Sequence, residues 1–232
     1  MNNMTELWNF WSTIQTVEEL DEILSKNNLN INAKISLLGD TPLMLHTQRG
    51  NIDIVKYMIS KGANIHDTAV GGWSAFHAIC KFGHIDLFDY FVNDLKMTLK
   101  PEYLRRACFE GQIDIVKGIF NNQNEIDITP DIVHAACIIP RNNIYHYRSK
   151  DILIYLIIHG ADLNSYYYGE TPLTLSIKYE NLHTVKVLLD MGVDVTVKNS
   201  QNMTPQSLNE FLLSENNNNA IQLEIAELLK HI

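Results

Sequence analysis

No apolar run in this sequence approaches the roughly 18 to 20 residues that a membrane-spanning helix needs, which points away from an integral membrane protein. The opening residues, MNNMTELWNFW, lack a basic segment ahead of an apolar one, so export by a standard secretory signal is not expected. Positive charge is in short supply: 18 Lys and Arg stand against 27 Asp and Glu, a formal net charge of −9. A field of that sign repels phosphate at long range and argues against general affinity for nucleic acid or an anionic bilayer, although local basic patches remain open. Also missing are a glycine-rich phosphate loop, a His-Glu-x-x-His pair and a G-x-S-x-G elbow, and with them three common routes to catalysis. What is present, 46% hydrophobic and 19% charged residues, suffices for a folded body with a large core.

That core is organised by a repeat. Residues 41–66, TPLMLHTQRGNIDIVKYMISKGANIH, open with Thr41-Pro42-Leu43, pause at Gly50, and then place Ile52, Ile54, Val55, Met58 and Ile59 on one face of a second helix that Gly62 stops. The same pattern returns at Ser74-Ala75-Phe76 with Gly83 and Ile85, a spacing of 33 residues, and Thr171-Pro172-Leu173 and Thr204-Pro205 are again 33 apart. Thr can cap a first helix with its hydroxyl, and Pro fits the first turn because its missing N–H costs nothing there. Gly62, Gly160 and Gly192 suit a left-handed cap after the second helix.

A helix-turn-helix unit recurring every 33 residues with a T-P-L-H-x-A opening resembles the ankyrin-repeat family over nearly the full length. The resemblance implies an all-α solenoid of stacked units with short β-hairpin fingers, read as one array over 1–232. Its divisions are an N-terminal cap at 5–38, units at 39–72, 73–100, 101–128, 129–168 and 169–201, and a C-terminal cap at 202–232. Leu7, Trp8, Phe10 and Trp11 mark the first helix of the N-terminal cap, with both tryptophans expected in the core, and Val17, Leu20, Ile23 and Leu24 mark the second. In the middle, Leu95 and Gln123 stand where a capping Gly is expected, and Gly111 follows Gly83 by only 28 residues, so the fingers there should be poor or absent. About eight extra residues fall within 138–150, a segment open to reading as a surface loop or a recognition loop. A polar run, SENNNN, interrupts the last unit before a C-terminal helix.

His77-x-x-Cys80 with His84, and His134-x-x-Cys137, look at first like metal ligands. The repeat register gives them another meaning. His77 and His134 fall on the motif histidine, which the resemblance assigns to hydrogen bonds between neighbouring units, and Cys80, Cys108 and Cys137 share a position where the family favours a small residue. Equivalent positions of successive units lie roughly a helix-packing distance apart, about 10 Å, which is beyond the reach of a disulfide. Reduced thiols, no metal or other cofactor, and an intracellular, cytoplasmic or host-cytoplasmic setting are the expectation.

By the same register the concave groove draws on Leu45, Gln48 and Arg49, on Ala78, Lys81 and Phe82, on Arg106, Phe109 and Glu110, and on Leu175, Lys178 and Tyr179. Finger tips add Trp73, Tyr166, Tyr167 and Tyr168. Aromatic and Arg side chains are the types most often found as interface anchors. The candidate partner-binding residues are Arg49, Trp73, Lys81, Phe82, Arg106, Phe109, Tyr166, Tyr167, Tyr168 and Tyr179. The function expected from them is non-catalytic binding of a protein partner by a monomer. A nucleic-acid-associated adaptor using Lys96, Lys100, Arg105, Arg106, Arg141, Arg148 and Lys150 is the alternative, with a small enzyme on the scaffold behind it.

Overall fold

The computed structural model describes residues 4–26, 29–123, 126–138, 148–216 and 219–230. Among them the regular structure is helical, apart from two isolated antiparallel bridges, Thr68 with Ser74 and Tyr167 with Glu170. The insertion expected within 138–150 lies mostly outside the described residues. Two compact units divide between Thr98 and Leu99.

In the first unit α1 (Met4–Thr13) and α2 (Val17–Lys26) form the cap, followed by the pairs α3 (Pro42–Gln48) with α4 (Ile52–Ser60) and α5 (Ala75–Phe82) with α6 (Ile85–Asp89). Trp11 is buried as expected, whereas Trp8 is only half-buried. The core includes Phe76 packed on two further rings, with its centre 5.8 Å from that of Phe88 and 6.1 Å from that of Phe91. Leu95 cannot serve as a glycine cap, and the chain solves the problem differently. α6 runs on into a π-turn, Tyr90–Asp94, closed by the Leu95 N–H on the Tyr90 carbonyl at 3.1 Å, and Lys96 takes the left-handed conformation at φ 55°.

The second unit stacks four hairpins: α7 (Pro101–Phe109) with α8 (Ile113–Asn122), α9 (Pro130–Cys137) with α10 (Ser149–Ile158), α11 (Pro172–Lys178) with α12 (Leu182–Asp190), and α13 (Pro205–Glu215) with α14 (Ala220–Leu229). First helices pack on first helices in the order α7, α9, α11, α13, and second helices follow the same order. Val133, Leu153, Leu173, Ile177, Leu188 and Ile225 belong to its continuous core. No bridge joins the described residues of 95–101 or 123–129, as the shortened connections lead one to expect.

Several local rules of the repeat have their atoms in place, although Thr129 makes no side-chain cap to α9. Proline opens α3, α7, α9, α11 and α13. The Thr41, Ser74, Thr171 and Thr204 hydroxyls accept from backbone N–H groups three residues on. Thr171 and Thr174 complete a reciprocal capping box. Successive hairpins are tied by polar groups as well as by apolar packing, and in the second unit these groups are buried. Asn181 donates to the Cys137 carbonyl at 3.1 Å, Gln222 to the Ile177 carbonyl at 2.9 Å, and in the first unit His84 Nε2 meets the Gln48 carbonyl at 2.9 Å. Asn219, the last residue of the polar run, caps α14 by accepting from the Ile221 and Gln222 N–H groups. The tract's end is thus part of the fold.

Candidate functional site

The ten candidate residues fall into different environments, and only some of them face an open space. Arg49 ends α3 and donates to the Ser12 carbonyl at 2.8 Å, so its guanidinium is already engaged within the first unit. Trp73 is half-buried and stacks on His77, with ring centres 5.6 Å apart and planes inclined by 29°. Lys81 Nζ lies 5.8 Å from the Trp73 ring centre and 5.3 Å from that of Phe82, and Phe82 in turn stacks on His84 at 6.1 Å. Trp73, Lys81 and Phe82 therefore form a closed ladder of rings around one cation.

The second unit presents something different. Four candidates, Phe109, Tyr167, Tyr168 and Tyr179, line one cleft of about 280 Å³. Its walls come from three adjacent first helices and one finger: α7 gives Arg105 and Phe109, α9 gives Asp131, His134 and Ala135, the finger gives Tyr167, Tyr168 and Glu170, and α11 gives Leu175 and, just beyond its end, Tyr179. Ile138 completes the lining. Of the remaining candidates in this unit, Tyr166 is 47% exposed but outside the cleft, and Arg106 pairs with Glu110 at 3.1 Å with its guanidinium 6.0 Å from the Phe109 ring centre.

The finger explains how the tyrosines are aimed. Tyr167 and Glu170 exchange both backbone hydrogen bonds at 3.2 Å, leaving Tyr168 and Gly169 as a two-residue turn with φ of 49° and 76°. Two positive φ values are the signature of a type I′ hairpin turn, a place that favours Asn or Gly and penalises a bulky side chain. Tyr168 is held there, 89% exposed, with its ring edge-on to Tyr167 at 4.5 Å. Gly169 has no alternative, since a Cβ would add strain at positive φ and sit 2.5 Å from Ser200 of the next finger, whose N–H it accepts at 2.7 Å.

The electrostatics of the cleft are self-contained. Arg105 Nε is 3.5 Å from Asp131, whose carboxylate also accepts from the Thr129 hydroxyl. Lys178 is 2.9 Å from one oxygen of Glu170, and Asn199 donates to the other at 3.3 Å. His134 Nε2 is 3.3 Å from the Ser165 carbonyl, and burial lowers its pKa, with the carbonyl and the nearby carboxylates of Glu170 and Asp131 opposing that shift. The bond runs from α9 to the backbone leading into the finger ahead of α11, within the stretch 129–168 read as one unit. Burial pushes the Cys137 thiol up to about 12 and the Cys108 thiol in the same direction, so both stay protonated and packed as small apolar groups. Among the described residues no group of three His, Cys, Asp or Glu side chains is placed to hold a metal ion, and no helix is long and apolar enough to cross a membrane.

Two groove assignments are corrected by the packing. Leu45 and Ala78, placed by register on the open face, are buried, at 3% and 0% exposure, on the facing helices α3 and α5. In the other direction, Asp131 and Glu170 belong to the cleft although sequence reasoning did not nominate them. Asp131 had one usable signal, its position in the first turn after Thr129-Pro130.

Comparison with known proteins agrees with this architecture. The family model for ankyrin repeats in three copies matches residues 12–101 and again 104–199. The fowlpox virus ankyrin repeat protein FPV230 is 26% identical over 165 residues, covering 71% of this chain and 71% of that protein. The Caenorhabditis elegans ankyrin repeat and KH domain-containing protein mask-1 is 29% identical over 192 residues, 82% of this chain, which spans only 6% of that much longer protein. The crystal structure of the human ASB11 ankyrin repeat domain superposes with a TM-score of 0.68 at 17% identity, covering 90% of this chain and 91% of that one. Helix pairs capped by Thr-Pro, a buried inter-hairpin polar ladder and an exposed finger define a protein of the helical-repeat class. The chain belongs to the ankyrin-repeat family.

Proposed function

We propose that the chain is a non-catalytic interaction module that binds a protein partner through the first-helix and finger surface of its second unit, with the cleft between α7, α9 and α11 as the centre of contact. One observation carries this reading: Phe109, Tyr167, Tyr168 and Tyr179 converge on one open cleft, and Tyr168 is held out into solvent by a turn that disfavours its side chain. A residue kept in a costly conformation at a surface is a sign of selection for something other than stability. Tyrosines supply large contact area with only two side-chain torsions to fix, which suits an interface. A phosphate-binding role is disfavoured, since Lys100, Arg105 and Arg106 each sit against a carboxylate, at 3.6, 3.5 and 3.1 Å. An intracellular setting, with the three buried thiols reduced, belongs to the same proposal.

The experiment is affinity capture read by mass spectrometry with wild-type chain beside Tyr168→Ala/Tyr179→Ala, after helical circular dichroism and melting are shown to match. A partner held by wild type and lost from the variant supports the cleft as the binding face. Equal capture by both overturns it.

A further inference from the structure

Resting on that reading, we propose that the partner's anchor in the cleft is a single large uncharged side chain, aliphatic or aromatic, offered by a protein segment. The space of about 280 Å³ falls just below the roughly 300–1,000 Å³ of small-molecule pockets, and its scale is that of one bulky residue. The apolar part of the lining comes from Ala135, Ile138 and Leu175 together with Phe109.

The charges at the rim decide against an ionic anchor. The charged lining residues Arg105, Asp131 and Glu170 are all paired: Arg105 with Asp131 at 3.5 Å, and Glu170 with Lys178, which does not itself line the cleft, at 2.9 Å, while the second carboxylate oxygen of Glu170 is taken by Asn199. An entering cation competes with Arg105 and Lys178 for the two carboxylates, and an entering anion competes with the carboxylates, of which Glu170 is the more buried with its side chain 9% exposed; neither sign of charge finds an unpaired group of opposite sign in either pair. His134 adds no free donor, since its Nε2 is already directed at the Ser165 carbonyl. The formal net charge of −9 favours the approach of a basic protein, but that field is screened over about 8 Å at physiological ionic strength, whereas the two pairs act at contact. Long-range charge therefore bears on the rate of encounter, and the local pairing sets what enters. Tyr168 and Tyr179 at the mouth offer ring faces and hydroxyls to the peptide backbone on either side of the anchor.

A randomised peptide library displayed on phage, selected on the immobilised full chain, tests this. Leu175→Trp, which fills the cleft from α11, serves for counter-selection, and Tyr179→Ala, a truncation of an exposed side chain, is the second variant in case the first fails to fold. The expected result is a set of peptides sharing one invariant Trp, Phe, Tyr, Leu, Ile or Met, each losing about tenfold or more in affinity when that residue becomes Ala and when the cleft is altered. An invariant Lys, Arg, Asp or Glu in the cleft-dependent peptides overturns the uncharged anchor and leaves the interaction reading standing. Peptides that bind both variants as well as wild type overturn the anchor and the cleft-centred reading together.

Discussion

Each unit carries candidate aromatic side chains on its first helices and fingers, and the two sets end in opposite states. In the first unit Trp73 lies on His77, Phe82 on His84, and Lys81 covers both Trp73 and Phe82, so the rings satisfy one another. In the second unit Phe109, Tyr167, Tyr168 and Tyr179 stand around a space. The turns account for much of the difference. The finger ahead of α5 makes a roomy turn through Val70–Gly72, where Gly71 and Gly72 carry the positive φ values and Trp73 is left in extended backbone, free to lie back on its own helix. The finger ahead of α11 has only two turn residues, one of them Tyr168, so the ring is thrown outward. Aromatic side chains end stacked on their own unit or held out into solvent according to which residue occupies the left-handed position.

The largest expected effect concerns the aromatics that the first unit spends inward. Phe76→Ala should cost about 3–5 kcal/mol, because it leaves a cavity between Phe88 and Phe91, and the shift in guanidinium midpoint at constant slope measures it. A loss below about 1 kcal/mol would mean the cluster is not packed as described.

Acid should destabilise the first unit through His46. Burial, helped by the Arg49 charge and opposed by the Trp11 backbone, lowers its pKa to about 4. The unfolded chain takes up that proton near the ordinary value of 6.5, so stability is fully present above 6.5 and falls as pH drops toward 4, by on the order of 2–3 kcal/mol. His134 in the second unit contributes with the same sign. In His46→Gln the slope of stability against pH between 6.5 and 4 should flatten, and an unchanged slope would remove this histidine from the account.

Asn181→Ala, which cuts the buried tie to Cys137 and leaves the Thr184 N–H and Ser149 hydroxyl without their acceptor, should cost about 1–3 kcal/mol in thermal unfolding. The smallest effects separate the two clusters. Tyr168→Asn creates the Asn-Gly pair that a type I′ turn prefers and should gain about 1 kcal/mol while weakening partner capture. Lys81→Ala should do the reverse, losing about 0.5–1 kcal/mol of cation–π contact with capture unchanged.

Much of this was legible in the chain. The 33-residue spacing, Thr-Pro openings and Gly62, Gly160 and Gly192 located the hairpins, since each rests on a local backbone requirement: those glycines have φ of 91°, 94° and 74°. The lack of a glycine at Leu95 was visible too, but the π-turn that replaces it was not, because several backbone solutions satisfy the same sequence. The cleft was half legible. Its tyrosines could be named from register and finger position, whereas the pairs Arg105 with Asp131 and Lys178 with Glu170 depend on distances between elements that no periodicity encodes. Leu45 and Ala78 show the same limit from the other side: helical spacing gives a face, and only the neighbouring helices decide whether that face sees solvent.

The most direct test of the contrast between the clusters is site-specific photo-crosslinking. Benzoylphenylalanine is placed at Tyr168 in one chain and at Phe82 in another, and each is irradiated with the partner captured by wild type. Adducts from position 168 and none from position 82 are the predicted result. Adducts from position 82 alone would contradict the account, placing the partner on the cluster that here looks closed.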